Sequence, residues 1–449
     1  MRIAVIGAGA AATSVVSAVA ASTDTPLEIC VFDHHPLGES LAFSRHSQAG
    51  VCNTSDAVNA AALGLLGAAV PDEGPASFRP RSDIGVALAV VAARLRSDDR
   101  IVLREHLGTV VRLDPSGESI DVTTDSGNRY RGFDRVFVCR GLSTPHVPET
   151  LRALSGREEV WSSPYPLDDC AAALRDRRVL VVGASLSAIE CATEIAQGGS
   201  TVTIASREAQ LPSVRASLSD DPELLNLCTT SLAVAAPANA AAMTRFARAF
   251  AEILGTPFGA AIGERPGRTV IDTLLAELEH AQSERHWSAA VVPLCRAVNA
   301  APRLAAPARA ALEGNELRRY TNGITTGSAA LLARLLTERR IRHERLGVLT
   351  AGRRRSGAFE METPDGWQRY DAVVLACGWQ PPDTIAGLAQ CRIAHSAADL
   401  RQPGPCVMRI GVEARDRVAL PNALFALHDQ IAVLRAGMDS RSPKLVHGS

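Results

Sequence analysis

An α/β protein with two similar halves and a helical insert is the architecture that the sequence predicts. Two glycine-turn units, RIAVIGAGAAATSVVSAVAAS (2–22) and VLVVGASLSAIECATEIAQGGSTVTIASRE (179–208), each predict a strand, a tight turn and a helix. Two further stretches, from residues 120 and 359, share one pattern of strand, turn and strand. A chain of 449 residues with 46% hydrophobic and 21% charged residues has an ordinary globular composition and room for two or three domains.

The N-terminal unit fits the phosphate-binding pattern G-x-G-x-x-A. Gly7 allows the tight turn, Gly9 lets a pyrophosphate approach the backbone, and the small Ala12 lets the helix pack closely on the strand. The next strand, LEICVFD, ends at Asp33, an acid of the kind that hydrogen-bonds a ribose hydroxyl. The order of strand, turn, helix, strand and acid predicts a dinucleotide-binding domain.

The mid-chain unit differs from the first at two places. Its turn reads Gly183, Ser185, Ser187, and its second strand ends at Ser206 and Arg207 instead of an acid. A guanidinium in place of a carboxylate suits the 2′-phosphate of NADPH, and the alternative for Arg207 is an exposed surface arginine. A nucleophile elbow centred on Ser185 is a rival interpretation, but Ser187 stands where that motif requires glycine.

The repeated stretches supply the rest of each unit. IDVTTDSGNRYRGFDRVFVCRGLSTPHVP (120–148) and FEMETPDGWQRYDAVVLACGWQPP (359–382) each predict a hairpin followed by an apolar strand that ends at a cysteine with a glycine one or two residues later. Each therefore closes one unit, so the sequence predicts two Rossmann-like dinucleotide-binding domains. Two bound nucleotides suggest that hydride passes between cofactors.

The order of these units resembles that of the two-dinucleotide-domain flavoproteins. Three stretches are similar to the flavin-dependent N-hydroxylating monooxygenases and their class B relatives: WSSPYP (161–166), YTNGITTGSAALLARLL (320–336) and MRIGVEARDRVALPNALFALHDQIAVLRAG (408–437). The segment LAFSRHSQAGVCNTSDAVN (41–59) also resembles a bacterial group of FAD-NAD(P)-binding proteins. The resemblance implies FAD in the first unit, NADPH in the second, and a monooxygenase that uses molecular oxygen on a small molecule, with amine N-hydroxylation as the candidate reaction.

Four residues outside the glycine turns are candidates for the site. The resemblance places Asn322 at an asparagine that contacts nicotinamide and substrate, and Gly411 in the C-terminal glycine strand of the flavin domain; an N-cap for the following helix is the alternative for Asn322. His46 and Asn53 lie on the loop after Asp33, where a neighbour of the flavin ring is expected. The alternative for both is a loop residue satisfied by the backbone.

One departure from the resemblance concerns the substrate. The ornithine hydroxylases hold the substrate carboxylate with a lysine, but Lys444 is the only lysine in this chain and lies outside the relevant region. Ornithine and lysine are therefore disfavoured as substrates. A flavin reductase that inserts no oxygen and a nucleotide-binding sensor without turnover are the alternative functions.

The predicted domain limits follow from these units. The FAD-binding domain takes residues 1–155 and 392–449, and the NADPH-binding domain takes residues 156–212 and 320–391. The alanine-rich segment 213–319 has helical periodicity and is predicted to be an insert that covers the flavin.

Charge and cysteine content narrow the partners. A net charge of −1 gives no electrostatic basis for binding nucleic acid or an anionic membrane, and no apolar run reaches transmembrane length. The ten cysteines include no C-x-x-C pair, which argues against a zinc ribbon, a disulfide scaffold and a dithiol centre, and for a reducing, cytoplasmic location. His34 and His35 lack a third ligand at suitable spacing, so no metal is predicted.

Overall fold

A computed structural model gives the structure of the protein. It describes most of the chain, namely residues 1–23, 26–47, 49–64, 66–68, 71–142, 144–208, 210–218, 220–253, 269–282, 286–301, 304–312, 314–351, 358–418 and 423–438. Lys444, named above for the substrate argument, lies outside the described residues.

The strands of the described residues are numbered in chain order. They are β1 (Arg2–Ile6), β2 (Leu27–Asp33), β3 (Ile101–Leu107), β4 (Val110–Ser116), β5 (Ser119–Thr124), β6 (Arg129–Phe133), β7 (Arg135–Val138), β8 (Val160–Trp161), β9 (Arg178–Val182), β10 (Thr201–Ser206), β11 (Val214–Arg215), β12 (Ile324–Thr325), β13 (Ile341–Arg345), β14 (Leu349–Ala351), β15 (Phe359–Thr363), β16 (Gly366–Tyr370), β17 (Ala372–Leu375), β18 (Ile393–Ala394) and β19 (Cys406–Arg409).

The α-helices follow the same numbering. They are α1 (Ala10–Ala21), α2 (Asp56–Gly64), α3 (Arg81–Arg96), α4 (Leu167–Ala173), α5 (Leu186–Gln197), α6 (Pro222–Ala235), α7 (Ala240–Ile253), α8 (Val270–His280), α9 (Val291–Asn299), α10 (Ala305–Leu312), α11 (Asn315–Thr321), α12 (Thr326–Thr337), α13 (Ala397–Arg401) and α14 (Leu424–Met438).

The first sheet has six parallel strands in the order β18-β19-β7-β1-β2-β3. Strand β1 is apolar and almost wholly buried because both faces of the sheet are covered. Helices α1, α3 and α14 pack on one face, and the antiparallel sheet β4-β5-β6 packs on the other around Phe32 and Phe133. Since β18, β19 and α14 come from the end of the chain, the first sheet is built from both ends of the sequence.

The second sheet has five parallel strands in the order β13-β10-β9-β17-β8. Helices α5 and α12 cover one face, and the antiparallel sheet β14-β15-β16 covers the other around Phe359 and Tyr370. The repeated stretches of the sequence form β5 to β7 and β15 to β17, each a hairpin followed by a central parallel strand. The predicted fold class is therefore confirmed.

The segment between β11 and β12 is mainly helical in its described part, with α6, α7 and α9 to α11 around a core that contains Phe250, Trp287 and Leu294, while α8 packs on the core of the second unit. This core also contains Val58 of α2 and Phe425 of α14, so the helices rest on the unit that carries the first glycine turn. None of the described helices combines the length and apolar character that crossing a bilayer requires.

Candidate cofactor cleft and active site

The two glycine turns have the same geometry. Gly7 has φ +113° and Gly183 has φ +126°, in the region that favours glycine. A Cβ at Gly7 would lie 2.6 Å from the carbonyl oxygen of Cys139, and one at Gly183 would lie 2.3 Å from that of Ala376. Each turn therefore packs directly on the chain just beyond the central strand that closes its own unit.

The first turns of α1 and α5 are open to a ligand. Gly9 and Ser185 are the N-caps, and neither helix has a side chain that caps its free N–H groups. A Cβ at Gly9 would have no heavy atom nearer than 3.6 Å, the Ser40 Oγ, while Ala12 is fully buried against the sheet. An uncapped helix N-terminus beside open space suits a phosphate, so the residues present fit a dinucleotide.

Asp33 is fixed at the end of β2. One carboxylate oxygen accepts a hydrogen bond from the Ala8 N–H at 2.9 Å, and the other accepts one from the His35 N–H at 3.0 Å. Each oxygen keeps a second lone pair, which is what a ribose hydroxyl would need as an acceptor.

Arginine replaces this acid in the second unit. Arg207 is exposed just beyond β10, and the adjacent strand β13 ends at Arg345, which is also exposed and pairs in register with Ser206. The Leu346 N–H donates to the Ser206 carbonyl oxygen at 2.9 Å, which fixes the two strand ends side by side. Two cationic side chains therefore stand where the 2′-phosphate of NADPH is predicted.

A cleft lies where the two units meet and is here called the interdomain cleft. Its volume is about 180 Å³, and it is lined by loop residues between 35 and 49, by Arg81, and by residues 165–167. His46 lies on this lining and is exposed; its Nε2 accepts a hydrogen bond from the Arg45 Nε at 3.1 Å.

A buried polar network joins the two units at this cleft. Arg81 donates to Glu190 at 2.7 Å and to the Tyr165 hydroxyl at 3.0 Å. The Tyr165 hydroxyl also lies 3.1 Å from Glu190 and 3.1 Å from the Ser187 Oγ. Burial is the largest single influence on Arg81 and works against its charge, but Glu190 and Tyr165 act together in the opposite direction, and the pKa of Arg81 is raised. Burial also raises the pKa of Glu190, against the pull of Arg81.

Asn322 does not cap the helix that follows it, so the capping alternative is wrong. Asn322 is the C-cap of α11, and its backbone N–H donates to the Arg318 carbonyl at 2.9 Å. The N-cap of α12 is Thr325, whose Oγ1 accepts from the Ser328 N–H at 3.2 Å. The Asn322 amide is half-buried and makes no hydrogen bond to another described residue, so it is available to a ligand.

Asn53 and Gly411 occupy different settings. The backbone carbonyl of Asn53 accepts a hydrogen bond from the guanidinium of Arg215, whereas its side-chain amide bonds to no other described residue. Gly411 follows β19 with φ +66°, and its N–H already donates to the Gln430 Oε1 at 2.9 Å. The amide of Gly411 is therefore engaged within the protein.

The structure separates the predicted residues into two groups. His46 lines the interdomain cleft, whereas Asn53 and the segment that carries Asn322 meet at Arg215. Asn322 is not among the described residues that line this cleft.

The sequence analysis missed four residues of the site. They are Arg81, Tyr165, Glu190 and Arg215. Tyr165 and Glu190 lie in the quoted motifs WSSPYP and SAIE, and the spacing of Glu190 from Ser187 places both on one helix face. Arg81 and Arg215 lie in no motif.

The fold and these two glycine turns define a class, the α/β proteins with two Rossmann-like dinucleotide-binding units. Residues 1–220 match the family model described as pyridine nucleotide-disulphide oxidoreductase. No curated protein matches the chain.

Solved structures share the fold over nearly the whole chain. An ornithine hydroxylase from Pseudomonas aeruginosa is 14% identical with a TM-score of 0.52, covering 98% of this chain and 97% of that one. A lysine monooxygenase from Nocardia farcinica is 12% identical with a TM-score of 0.50, covering 96% and 99%. A bacillithiol disulfide reductase from Staphylococcus aureus is 11% identical with a TM-score of 0.51, covering 99% of both chains. Oxygenases and a disulfide reductase thus share this architecture.

Proposed function

We propose that the protein is an FAD-dependent, NADPH-consuming monooxygenase that acts on a small molecule, with amine N-hydroxylation as the candidate reaction. FAD is assigned to residues 1–155 with 392–449, and NADPH to residues 156–212 with 320–391. Bound FAD supplies the redox chemistry, so the chain has to supply binding, orientation and exclusion of water.

The placement of the cysteines argues against a disulfide reductase, because disulfide exchange needs an accessible thiolate. All ten cysteines are described; nine are buried and Cys377 is partly exposed. Burial raises the pKa of Cys52, beside the network of Arg81 and Glu190, to about 12, and that of Cys377 to about 11. Neither thiol is suited to attack a disulfide at neutral pH.

Among the described residues, Cys170 and Cys191 are in contact, but both are buried in the core of the second unit. Cys170 on α4 and Cys191 on α5 form a sulfur hydrogen bond inside the core of the second unit. Both side chains are almost fully inaccessible, at 0% and 1% exposed. This pair therefore offers no dithiol to a substrate, which favours a function other than disulfide reduction.

The binding roles follow from the geometry of the turns. The α1 N-terminus beside Gly9 binds the FAD pyrophosphate, and Asp33 binds its ribose. Gly183, Ser185 and Ser187 form the corresponding turn for NADPH, and Arg207 binds the 2′-phosphate.

Asn322 and His46 are the proposed catalytic residues. A primary amide both donates and accepts, so Asn322 can hold the nicotinamide carboxamide or a substrate amine. An imidazole at the cleft can transfer a proton to or from the substrate, which is the role proposed for His46. The freedom of the Asn322 amide from helix capping supports this assignment.

The first experiment tests the FAD site with two glycine variants. Gly9→Val places a side chain in the open space where the pyrophosphate is assigned, so the protein should fold and lose FAD. Gly7→Val should instead disrupt folding, because a Cβ there meets the Cys139 carbonyl. Flavin content after gel filtration and circular dichroism measure both results; full flavin occupancy in folded Gly9→Val would refute the assignment.

The second experiment distinguishes oxygenase from reductase. Purified protein is mixed with NADPH, isotopically labelled dioxygen and a panel of small amines. The mass of each product is then measured by mass spectrometry, and the peroxide released is titrated. One labelled oxygen atom in a product supports the proposal. Flavin reduction with all oxygen recovered as peroxide and electrons delivered to an added dye would instead indicate a reductase. A colourless protein would instead indicate a nucleotide-binding sensor without turnover.

A further inference from the structure

Arg215 is buried at the junction of three segments. The residue ends β11 and is 3% exposed. Its guanidinium donates to the carbonyl of Asn53, to the carbonyl of Thr321 at 2.7 Å and to the carbonyl of Tyr320 at 3.3 Å. One arginine therefore connects the loop before α2 with the end of α11. Its partners Asn53 and Thr321 lie 162 and 106 positions away from it in sequence.

The charge of Arg215 has no carboxylate partner among the described residues. Glu277, the buried acid on the neighbouring helix α8, is already engaged by the Val214 N–H at 2.7 Å and by Arg319 at 2.7 Å. Burial lowers the pKa of Arg215 to about 10, so the guanidinium stays charged at neutral pH. An unpaired buried charge is unfavourable, and an apolar side chain would serve stability as well.

The acceptors of Arg215 indicate a different role. They are Asn53 itself and the two residues before Asn322, so the guanidinium contacts the backbone beside both predicted asparagines. The contact is tight: a Cβ at Gly323 would lie 3.0 Å from the Ser213 carbonyl oxygen and 3.3 Å from the Arg215 Cβ. The segment that carries Asn322 therefore rests directly on β11.

We propose that Arg215 is a positioning residue that fixes Asn53 and Asn322 relative to each other, and so sets the geometry between the flavin side and the nicotinamide side of the site. The proposal rests on the proposed function for the roles of the two asparagines. A planar guanidinium can donate to several carbonyls in fixed directions, whereas the ammonium group of a lysine is a flexible point charge.

Hydrogen exchange on the purified protein tests the connection itself. In Arg215→Met, residues 51–55 and 320–323 should both exchange faster, because each loses the same donor. Arg319→Met is the matched control: it removes a half-buried arginine from the same region, and it should leave residues 51–55 unchanged because Arg319 pairs with Glu277. Unchanged exchange at 51–55 in Arg215→Met, or equal acceleration there in Arg319→Met, would overturn the proposal.

Cofactor binding tests the consequence for the site. Arg215→Met should raise the dissociation constant of NADP⁺ for the FAD-loaded protein roughly tenfold and change the visible circular dichroism of the flavin, whereas Arg319→Met should do neither. If Arg215→Met does not fold, Arg215→Lys replaces it and should show the same changes at smaller size. An unchanged constant and spectrum in a folded variant would overturn the proposal. A parent protein that binds neither cofactor would refute the proposed function, while the exchange experiment would still report on the connection.

Discussion

Single side chains distinguish the two nucleotide units. At the end of the second strand the first unit presents the Asp33 carboxylate, whereas the second presents Arg207 beside Arg345. A carboxylate accepts from a ribose hydroxyl and repels a phosphate, while a guanidinium attracts a phosphate. The same backbone plan can therefore bind different dinucleotides through one position.

Arg207 gives a prediction about cofactor choice. Arg207→Ala removes a charge-assisted contact worth about 1.5 to 3 kcal/mol. It should therefore weaken the binding of NADPH roughly 10- to 100-fold and change the binding of NADH little. Dissociation constants for both nucleotides measure this. Arg342→Ala removes another exposed arginine from β13 and is the control. Equal losses for NADPH and NADH would show that Arg207 does not contact the 2′-phosphate.

His343 gives a prediction about pH. Burial lowers the pKa of His343 to about 4, and neither ring nitrogen has a hydrogen-bond partner among the residues that the structure describes. An unfolded histidine binds its proton near pH 6.5, so as the pH falls from about 6.5 to 4 the unfolded chain takes up a proton that the folded protein does not. This contribution to stability is complete above pH 6.5 and is lost on acidification.

The measurement is denaturant unfolding at pH 7 and pH 5. His343→Leu should reduce the loss of unfolding free energy between these pH values by about 2 kcal/mol. His146→Leu, at an exposed position, should leave the pH dependence of the parent unchanged. If His343→Leu retains the full pH dependence, the folded protein does not keep this imidazole neutral.

At the scale of secondary structure, the boundary between α11 and α12 separates a helix-capping residue, Thr325, from Asn322, for which a catalytic role is proposed. Thr325 caps α12 through its hydroxyl, and Asn322 is the C-cap of α11 with its side chain unused by either helix. Both are polar residues in one short segment, so the sequence pattern alone does not show which of them caps α12.

Alanine substitutions at these positions should behave differently. Thr325→Ala should lower the unfolding free energy by about 1 kcal/mol, and Thr325→Ser should restore it, because serine is also a good N-cap. Asn322→Ala should change it by less than about 0.5 kcal/mol yet raise the peroxide released per NADPH. Urea unfolding and peroxide titration measure the two effects. A stability loss in Asn322→Ala equal to that in Thr325→Ala would contradict the assignment.

The elements that the sequence predicted correctly are those encoded locally. The strand, turn and helix around Gly7 follow from apolar runs and from the need for glycine at the turn, where any side chain would clash with the Cys139 carbonyl. The hairpins before β7 and β17 follow from their turn residues. The contacts of Arg215 with Asn53 and of Arg81 with Glu190 join residues 162 and 109 positions apart. No local pattern specifies such pairs, because they arise only when separate elements pack together.

At the scale of the whole molecule, the network of Arg81, Tyr165 and Glu190 connects the two nucleotide units. Its ion pair is largely buried, with side chains 17% and 11% exposed, and the other members are hydroxyl groups that satisfy the remaining acceptors. Loss of one partner leaves the other charged and unpaired between the units, so the network should couple their stabilities.

A double-mutant cycle tests this coupling. Arg81→Met and Glu190→Gln should each lower the unfolding free energy by about 3 kcal/mol, and the double variant should lose less than the sum by at least about 1 kcal/mol. The exposed pair of Arg178 and Asp371, 3.7 Å apart, is the control and should couple by less than about 0.5 kcal/mol. Strict additivity at Arg81 and Glu190 would show that the ion pair does not join the units energetically.

The order of the strands has a consequence for biosynthesis. The last strand of the second sheet, β17, ends at Leu375, whereas the first sheet must wait for β19, which inserts between β7 and β18 and ends at Arg409. On the ribosome the second sheet can thus be completed before the first sheet, which the N-terminus began, and until then β7 presents an unpaired edge to chaperones and to other nascent chains. The domain that is translated first is the last to become native.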